Sequence, residues 1–124
     1  MNQTLPISFL HFFVMRKSEE VFKKEITITY IEEIVCKRFN IDASGLHTKR
    51  QDRKVSEPKH IIMFLTEKFT NLTLKDIAEY FGYTGDSRHS AVINARRAVL
   101  NKIYSDKYFK ARVFELQAYI SGNV

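Results

Sequence analysis

The sequence predicts an all-α fold: a compact helical domain that contains a helix-turn-helix and carries an extra apolar helix at its N-terminus. Apolar residues recur at spacings of three and four along most of the chain, helix-capping residues precede these stretches, and no stretch favours a strand over a helix. With 124 residues the chain can bury one core and is too short for two ordinary domains. We therefore expect an N-terminal helix and linker over residues 1–24 and one domain over residues 25–124.

The clearest pattern covers residues 72–104 and predicts two helices joined by a turn. Thr73 precedes the first helix, and Asp76 three residues later completes a capping box. Gly82 is the expected end of this helix, because glycine adopts the left-handed conformation without a steric cost. A turn over residues 83–87 then leads into the second helix. This is the layout of a helix-turn-helix.

The second helix has an apolar face and a polar face, and its expected cap is either Asp86 or Ser87. Steps of about 100° per residue divide its side chains in this way. The apolar face consists of Val92, Ala95, Val99 and Ile103. The polar face consists of Ser90, Asn94, Arg97 and Asn101, flanked by Arg88, Arg96 and Lys102. Amide and guanidinium groups match the edges of bases, so a DNA-reading helix explains this face; a solvated helix that is merely basic explains it as well.

The net charge of +6 lies in two segments, residues 47–60 and residues 88–102. This concentration favours a polyanion such as double-stranded DNA over charge that only aids solubility. A membrane surface remains an alternative, although no apolar stretch is long enough to cross a bilayer. The single Cys36 permits no internal disulfide, which suits a reducing, cytoplasmic location.

The N-terminal segment is predicted to form a helix with Thr4 as its cap and Pro6 in its first turn. Its residues 5–15 are apolar on nearly every side, so we expect this helix to pack on the domain or to form the contact of a homodimer. It lacks the preceding basic stretch and the cleavage site of a signal peptide. Residues 18–25 are charged and are interpreted as a solvated continuation or a linker.

A further helix is predicted after Thr29, because Thr29 and Glu32 form a capping box. Asn40 is its expected end. Glu32 and Glu33 are interpreted as adjacent residues on solvated helical faces. The residues expected to face the core are Ile31, Ile34, Val35 and Phe39.

Three elements complete the prediction. Asp42 is expected to cap a short turn over residues 43–46, which leads into a basic loop over residues 47–54. Ser56 is the predicted cap of the next helix, with Pro58 in its first turn. A last helix is predicted to be capped by Ser105 and to bury Phe109, Val113, Leu116 and Ile120.

Several short stretches occur in the order that a known bacterial domain shows. They are Ile26-Thr27-Ile28, Leu46-His47-Thr48-Lys49-Arg50, Val55-Ser56-Glu57-Pro58-Lys59-His60, residues 65–74, Ile77 with Phe81-Gly82, and His89-Ser90-Ala91-Val92-Ile93-Asn94-Ala95. Through these stretches the chain resembles the C-terminal DNA-binding domain of DnaA, the bacterial chromosomal replication initiator, across roughly residues 26 to 120. Ordered matches along one helical architecture are stronger than any single motif.

The resemblance implies that a recognition helix enters the major groove of double-stranded DNA while a basic loop reaches the adjacent minor groove. By position it places Lys49 and Arg50 in the loop, Lys59 and His60 at the start of the following helix, and His89 and Ser90 at the start of the recognition helix. The remaining predicted DNA-binding residues come from the basic loop and from the second helix of the helix-turn-helix: Arg53, Lys54, Arg88, Asn94 and Arg97.

The chain also departs from the family pattern. Lys49-Arg50-Gln51 stands where the family has Lys-Arg-Arg, and Pro58-Lys59-His60 stands where it has Pro-Arg-Gln. Arg88-His89-Ser90-Ala91 replaces Asp-His-Thr-Thr after a lengthened turn, and Asn94 occupies a position where the family often has histidine. These changes preserve general DNA binding and predict a bound sequence that differs from the family's usual one.

Other chemistry is not indicated by the sequence. No glycine is followed by lysine, so there is no Walker phosphate-binding loop and we expect neither a bound nucleotide nor another cofactor. The four histidines lack metal-ligand spacing, which predicts no zinc site. The adjacent glutamates do not indicate a catalytic acid and base. We therefore do not expect an enzyme.

The leading hypothesis is sequence-specific binding of double-stranded DNA by a regulator of replication or transcription. One alternative is a protein-interaction module that reuses the helix-turn-helix, with Leu10, Phe12 and Phe13 in its contact surface. A third is binding of structured RNA by the basic loop. Arg50 and Arg97 favour the two nucleic-acid hypotheses, whereas the apolar N-terminus favours the interaction module.

Overall fold

The computed structural model describes residues 26–47 and 53–122. Within these residues all regular secondary structure is helical, which confirms the predicted fold class. Five α-helices and one short 3₁₀ helix follow one another: α1 (Ile28–Phe39), the 3₁₀ helix (Ala43–His47), α2 (Arg53–Phe69), α3 (Leu74–Tyr80), α4 (Ser87–Ser105) and α5 (Lys107–Gly122). The predicted N-terminal helix and the centre of the basic loop lie outside the described residues. None of the described helices is long and apolar enough to cross a membrane.

Helix α2 lies at the centre of the domain. It packs against α1, the 3₁₀ helix, α3 and α4, and α4 in turn contacts α3 and α5. The side chains buried between these helices include Ile31, Val35, Leu46, Ile61, Ile62, Leu65, Ile77, Val92 and Val99. Fully burying one such side chain stabilises the fold by about 1.5–3 kcal/mol. Because α4 commits one face to this core, its opposite face is held toward solvent.

Helix α1 begins two residues earlier than predicted. The cap is Thr27, whose hydroxyl oxygen accepts a hydrogen bond from the Tyr30 amide at 3.1 Å, so the predicted cap at Thr29 is wrong. The extended backbone of Thr27 allows this, and the earlier start lets Ile28 pack against the core. The helix ends at Asn40 in the left-handed conformation, as predicted. In the following turn the amide of Ser44 donates to Asp42 Oδ1 at 3.2 Å, which confirms that predicted cap.

Helix α2 begins at Arg53, so the prediction that Ser56 caps it is wrong. Pro58 lies inside the helix rather than in its first turn and leaves one backbone carbonyl without its usual N–H donor. Burial of Val55 and Pro58 itself offsets this loss, because both side chains lie against the domain. Arg53 therefore belongs to the helix and not to the basic loop, and the same holds for Lys54.

The first half of the helix-turn-helix forms as predicted. Thr73 and Asp76 exchange side-chain and backbone hydrogen bonds in a full capping box. Gly82 has a φ of +91°, and its amide donates to Glu79 O at 3.0 Å while the amide of Tyr83 donates to Ala78 O at 3.1 Å. These two bonds are those of a Schellman motif, which turns the chain away from α3.

The start of α4 differs from the prediction. Asp86 occupies the capping position but makes no capping hydrogen bond with its side chain. Ser87 does not cap the helix either: its hydroxyl donates to Thr84 O at 2.9 Å and ties the turn to the first residue of α4. Gly85, with a φ of +69°, supplies the left-handed residue that this turn requires.

Helices α4 and α5 meet at Asp106. The predicted cap at Ser105 is wrong, because α4 continues through Ser105 and Asp106 Oδ1 accepts from the amides of Tyr108 at 3.0 Å and Phe109 at 3.1 Å. A carboxylate suits this position better than a hydroxyl, since it also favours the positive end of the helix dipole. The predicted stripe of Phe109, Val113, Leu116 and Ile120 is buried.

Candidate nucleic-acid interface

The polar face of α4 is exposed along its length. Ser90, Asn94, Arg97 and Asn101 are all solvent-exposed. On the opposite side Val92, Ala95 and Val99 are buried, as the spacing predicts. At a rise of 1.5 Å per residue the four polar residues form a row about 16 Å long. The row presents a hydroxyl, two amides and a guanidinium to solvent, and contains no acidic group.

Three of the basic residues of α4 are paired with glutamates of the neighbouring helices. Arg96 makes two hydrogen bonds to Glu67 of α2, at 3.1 and 2.7 Å. Lys102 Nζ lies 3.2 Å from Glu57 Oε1, also on α2. Arg88 pairs with Glu79 of α3. These ion pairs therefore join α4 to α2 and α3. An anionic ligand would have to compete with the glutamates for these three cations.

Arg97 is the exception among the cations of α4. It is exposed on the polar face and has no ion-pair partner among residues 26–47 and 53–122. Asn94 lies one turn before it on the same face and is also exposed. The guanidinium and the amide thus stand next to each other with their hydrogen-bonding groups directed to solvent. At the head of the row, the Ser90 hydroxyl donates to Ser87 O at 3.2 Å, which leaves its oxygen able to accept.

Arg88 is a structural residue of the turn. Its Nε donates to Gly85 O at 3.0 Å, and its guanidinium pairs with Glu79. A positive charge at the start of a helix opposes the helix dipole. The carboxylate of Glu79 offsets this charge. His89, the next residue, is exposed.

Lys59 and His60 are packed into the domain rather than displayed on its surface. Lys59 is only 5% exposed, and its Nζ lies 5.8 Å from the centre of the Tyr83 ring in the helix-turn-helix turn. Burial lowers the pKa of the Lys59 ammonium. His60 is half-buried in a cleft that it shares with Val99 and Phe109. Burial lowers the pKa of His60, and the neighbouring Lys59 charge lowers it further.

The remaining predicted residues lie at or near the basic loop. Lys49 and Arg50 are outside the described residues. Arg53 is the first residue of α2, and Lys54 is exposed in the first turn of that helix. Contacts by Lys49 and Arg50 therefore stay predictions. The structure places one exposed cation, that of Lys54, at the point where the loop meets α2.

A buried polar cluster was missed by the interpretation of the sequence. Glu32 is 5% exposed and accepts hydrogen bonds from His47 Nε2 and from the Tyr80 hydroxyl, both at 2.7 Å. The His47 ring stacks on Phe81, with ring centres 5.1 Å apart. Burial and the hydrogen bond to Glu32 raise the pKa of Tyr80. The cluster joins α1, the 3₁₀ helix and α3, so the interpretation of Glu32 as solvated is wrong.

The sequence did contain a signal for this cluster. Ile28, Glu32 and Cys36 are spaced by four residues and share the face that also carries Ile31 and Val35. A carboxylate inside such an apolar stripe requires hydrogen-bond donors once it is buried. His47 and Tyr80 meet that requirement from distant parts of the chain.

Cys36 is buried next to this cluster and is a free thiol. Burial, together with the negative charges of Glu32 and Asp42, raises its pKa to about 11. The thiol is therefore neutral near pH 7 and a poor nucleophile or metal ligand. Among the described residues, no group of three histidine, cysteine or acidic side chains has the arrangement of a metal site.

Comparison with known proteins identifies the family. Residues 28–99, which run from α1 into α4 and include the whole turn between α3 and α4, match the model described as the bacterial DnaA protein helix-turn-helix. The chain belongs to this family. The match confirms the resemblance inferred from the ordered motifs. It also covers every predicted DNA-binding residue.

The similar curated proteins are DnaA chromosomal replication initiators. The protein of Bacteroides thetaiotaomicron is 33% identical over 95 residues, which is 77% of this chain and 20% of the relative. That of a Thermoanaerobacter species is 32% identical over 99 residues, or 80% of this chain and 21% of the relative. That of Flavobacterium psychrophilum is 30% identical over 108 residues, or 87% of this chain and 22% of the relative. The chain thus spans about a fifth of the length of these DnaA proteins.

Proposed function

We propose that this chain binds double-stranded DNA in a sequence-specific manner through α4, as a regulator of replication or transcription. The observation that carries the proposal is the exposed row of Ser90, Asn94, Arg97 and Asn101, which is held in place by ion pairs on the other sides of the same helix. Membership of the DnaA helix-turn-helix family supports it, because the relatives are named as chromosomal replication initiators.

The polar row is suited to the major groove. An α-helix fits this groove, where arginine pairs with the O6 and N7 atoms of guanine and asparagine with the N6 and N7 atoms of adenine. We assign these base-reading roles to Arg97 and Asn94. His89 and Ser90 lie at the head of the helix, where they are placed to contact phosphates as the helix enters the groove.

The basic loop supplies a second set of contacts in this proposal. Lys49 and Arg50 reach the adjacent minor groove, and Arg53 and Lys54 support them from the start of α2. An arginine in a narrow minor groove responds to A·T-rich shape, whereas a lysine at a phosphate is insensitive to sequence. Contacts by Lys59 and His60 stay predictions from the family resemblance, and a contact by Arg88 stays a prediction from the basic character of the helix. The burial of the first two and the pairing of Arg88 do not support them.

The test is equilibrium binding of the full chain to duplex DNA at increasing salt concentration. A slope of about −4 to −6 in the plot of log affinity against log salt is expected if about five or six phosphates are neutralised. Affinity that does not change with salt would contradict the proposal. The same titration with duplex RNA separates it from the RNA-binding hypothesis, and absence of binding to either duplex would favour the interaction module.

Selection of bound sequences from a random duplex pool then identifies the site. Because Arg88 and Ala91 replace an acidic and a hydroxyl residue of the family pattern, we expect a site that differs from the usual one. Recovery of the family's usual site with high preference would contradict this expectation. It would leave duplex binding itself in place.

We also propose that residues 1–24 stabilise the domain or join two copies of it. Residues 5–15 are too apolar to be fully solvated, so packing against the domain or against a second copy of the chain is favourable. Deleting residues 1–24 is expected to lower the melting temperature or to convert a dimer into a monomer, with duplex affinity retained by the monomer. An unchanged melting temperature together with an unchanged mass in solution would overturn this proposal.

A further inference from the structure

Two tyrosines stand out at the corner where α4 passes into α5. Tyr104 is 93% exposed and Tyr108 is 73% exposed, which makes them the most exposed of the large apolar side chains in the described residues. Both line a shallow cleft with Asn101, Lys107 and Lys110. We call these five residues the α4–α5 corner. An aromatic ring exposed to this degree leaves at least one face available for stacking.

The charge of the corner is positive. Lys107 Nζ lies 5.5 Å from the centre of the Tyr108 ring, and Lys110 Nζ lies 5.7 Å from the centre of the Phe114 ring. Neither ammonium group has a carboxylate partner within the described part of the chain. The acidic residue that lines the cleft is Asp106, whose Oδ1 accepts the first amides of α5. The corner therefore combines two exposed rings, of which Tyr108 has Lys107 over one face, with two lysines that have no carboxylate partner within the described residues.

The corner adjoins the polar row of α4 and shares Asn101 with it, but the two tyrosines and two lysines of the corner lie outside the row. Tyr104 lies seven residues beyond Arg97, which is about 10 Å along the helix axis. Asp106 has an extended backbone, with φ of −135° and ψ of 105°, so the chain changes direction between the two tyrosines. The rings consequently project from two different helices.

The chemistry of the corner distinguishes three kinds of partner: a second copy of the chain, duplex DNA and a single-stranded nucleic acid. In a symmetric contact between two copies, the lysines of one corner would meet the lysines of the other, which is unfavourable. Duplex DNA keeps its base faces stacked inside the helix, so it would use only the hydroxyl groups of the tyrosines. A single strand presents both phosphates and unpaired base faces, and it therefore uses every feature of the corner.

We propose that the α4–α5 corner binds single-stranded nucleic acid. Tyr104 and Tyr108 each stack on one base, and Lys107 and Lys110 neutralise the adjoining phosphates. Stacking of a base on an aromatic side chain tolerates any base, so binding is independent of sequence. This activity goes beyond duplex recognition by Ser90, Asn94 and Arg97 and does not require it.

The experiment measures fluorescence anisotropy of the full chain with three labelled ligands: a single-stranded DNA of about twelve nucleotides, the matching RNA and a duplex DNA. The double variant Tyr104→Ala with Tyr108→Ala is expected to lose at least about tenfold in affinity for a single strand. Its affinity for the duplex should change by less than about twofold, because the polar row is intact. The DNA and RNA arms show which single strand binds more tightly.

Two control variants isolate the role of the rings. Tyr104→Phe with Tyr108→Phe keeps both ring faces and should bind a single strand nearly as well as the unmodified chain. Tyr119→Ala removes another exposed tyrosine of α5 and should leave binding unchanged. Because the chain contains six tyrosines and no tryptophan, the part of the tyrosine quenching by unlabelled strands that disappears in the alanine double variant reports stacking on Tyr104 and Tyr108.

Three results would overturn the proposal. The first is unchanged single-strand affinity in the alanine double variant, with thermal melting confirming that this variant is folded. The second is an equal loss of single-strand and duplex affinity, which would make the corner part of the duplex face. The third is an equal loss in the phenylalanine double variant, which would assign binding to the hydroxyl groups. Absence of duplex binding in the unmodified chain would contradict only the function proposed above.

Discussion

Arg96 and Arg97 are adjacent residues of the same type on the same helix, and they differ in every structural respect that matters for binding. Arg96 points toward α2 and makes two hydrogen bonds to Glu67. Arg97 lies about 100° further round the helix, is exposed and has no acidic partner among the described residues. A helix that contains only basic charges therefore does not offer all of them to a ligand. The carboxylates on the neighbouring helices decide which remain available.

The same division continues along α4. Arg88 and Lys102 pair with Glu79 and Glu57, while the polar row beside them is left open. Such exposed or half-exposed pairs contribute at most about 1 kcal/mol each to stability. Their larger effect is on orientation, because a helix fixed at its start, middle and end presents its free face without a further cost of ordering the backbone on binding.

The first prediction tests the free side of the comparison. Arg97→Ala should weaken duplex binding by about 1–3 kcal/mol and relax the preference at one base pair, because a bidentate contact to guanine is lost. Titrations with the selected site and its single-base variants measure both effects. The melting temperature should stay the same, since Arg97 makes no ion pair within the described domain. Uniform weakening across all duplexes would instead make Arg97 a phosphate contact.

The second prediction concerns the buried polar cluster around Glu32, which contrasts with the two adjacent arginines of α4. Glu32→Ala should lower the free energy of unfolding by about 1–2 kcal/mol, because His47 and Tyr80 lose their shared acceptor. Urea unfolding measures this change. Glu33→Ala is the matched control: Glu33 is the exposed neighbour and its removal should have little effect on unfolding. Equal effects of the two substitutions would mean that the buried cluster contributes nothing specific.

The third prediction tests the paired side of the comparison. Arg96→Ala should lower the free energy of unfolding by about 0.5–1 kcal/mol, because its partly exposed pair with Glu67 is lost. A double-mutant cycle with Glu67→Ala isolates the pair from other effects. The base preference of the variant should match that of the unmodified chain. A changed preference at one base pair would place Arg96, rather than its neighbour, in the groove.

Much of this architecture could be predicted because it depends on short-range patterns. The capping box of Thr73 and Asp76 needs only four residues, and the left-handed Gly82 follows from the absence of a side chain. The faces of α4 follow from the helical repeat alone. The resemblance to the DnaA domain added the order of the elements, and the family comparison confirmed it.

The predictions that were wrong have two physical causes. Either two nearby residues compete for one capping position, or the outcome depends on a contact between residues that are distant in the sequence. Thr27 and Thr29 both precede an apolar stretch, and burial of Ile28 favours the earlier cap. Ser105 and Asp106 compete in the same way, and the carboxylate prevails. The pairing of Arg88 with Glu79 and the cluster around Glu32 join residues that only the folded chain brings together. No local pattern contains that information.

The last and smallest predicted effect concerns His60. The pH dependence of stability and of duplex binding distinguishes a role of His60 in folding from a role in DNA contact. Burial and the charge of Lys59 hold the pKa of His60 below its usual value of 6.5. The unfolded chain therefore binds a proton more readily than the folded chain as the pH falls. The contribution of His60 to stability is complete above pH 6.5 and is lost as the pH falls through its lowered pKa.

We expect His60→Gln to flatten part of the decline in unfolding free energy between about pH 7.5 and pH 5. His89→Gln is the matched control, because His89 is exposed on α4 and its variant should follow the curve of the unmodified chain. Urea unfolding at several pH values measures all three curves. If the curve of unfolding free energy against pH for His60→Gln runs parallel to that of the unmodified chain, the cleft that His60 shares with Val99 and Phe109 does not disfavour the charged ring. If duplex affinity depends on the protonation of His60 instead, His60 contacts the DNA, as the family resemblance implied.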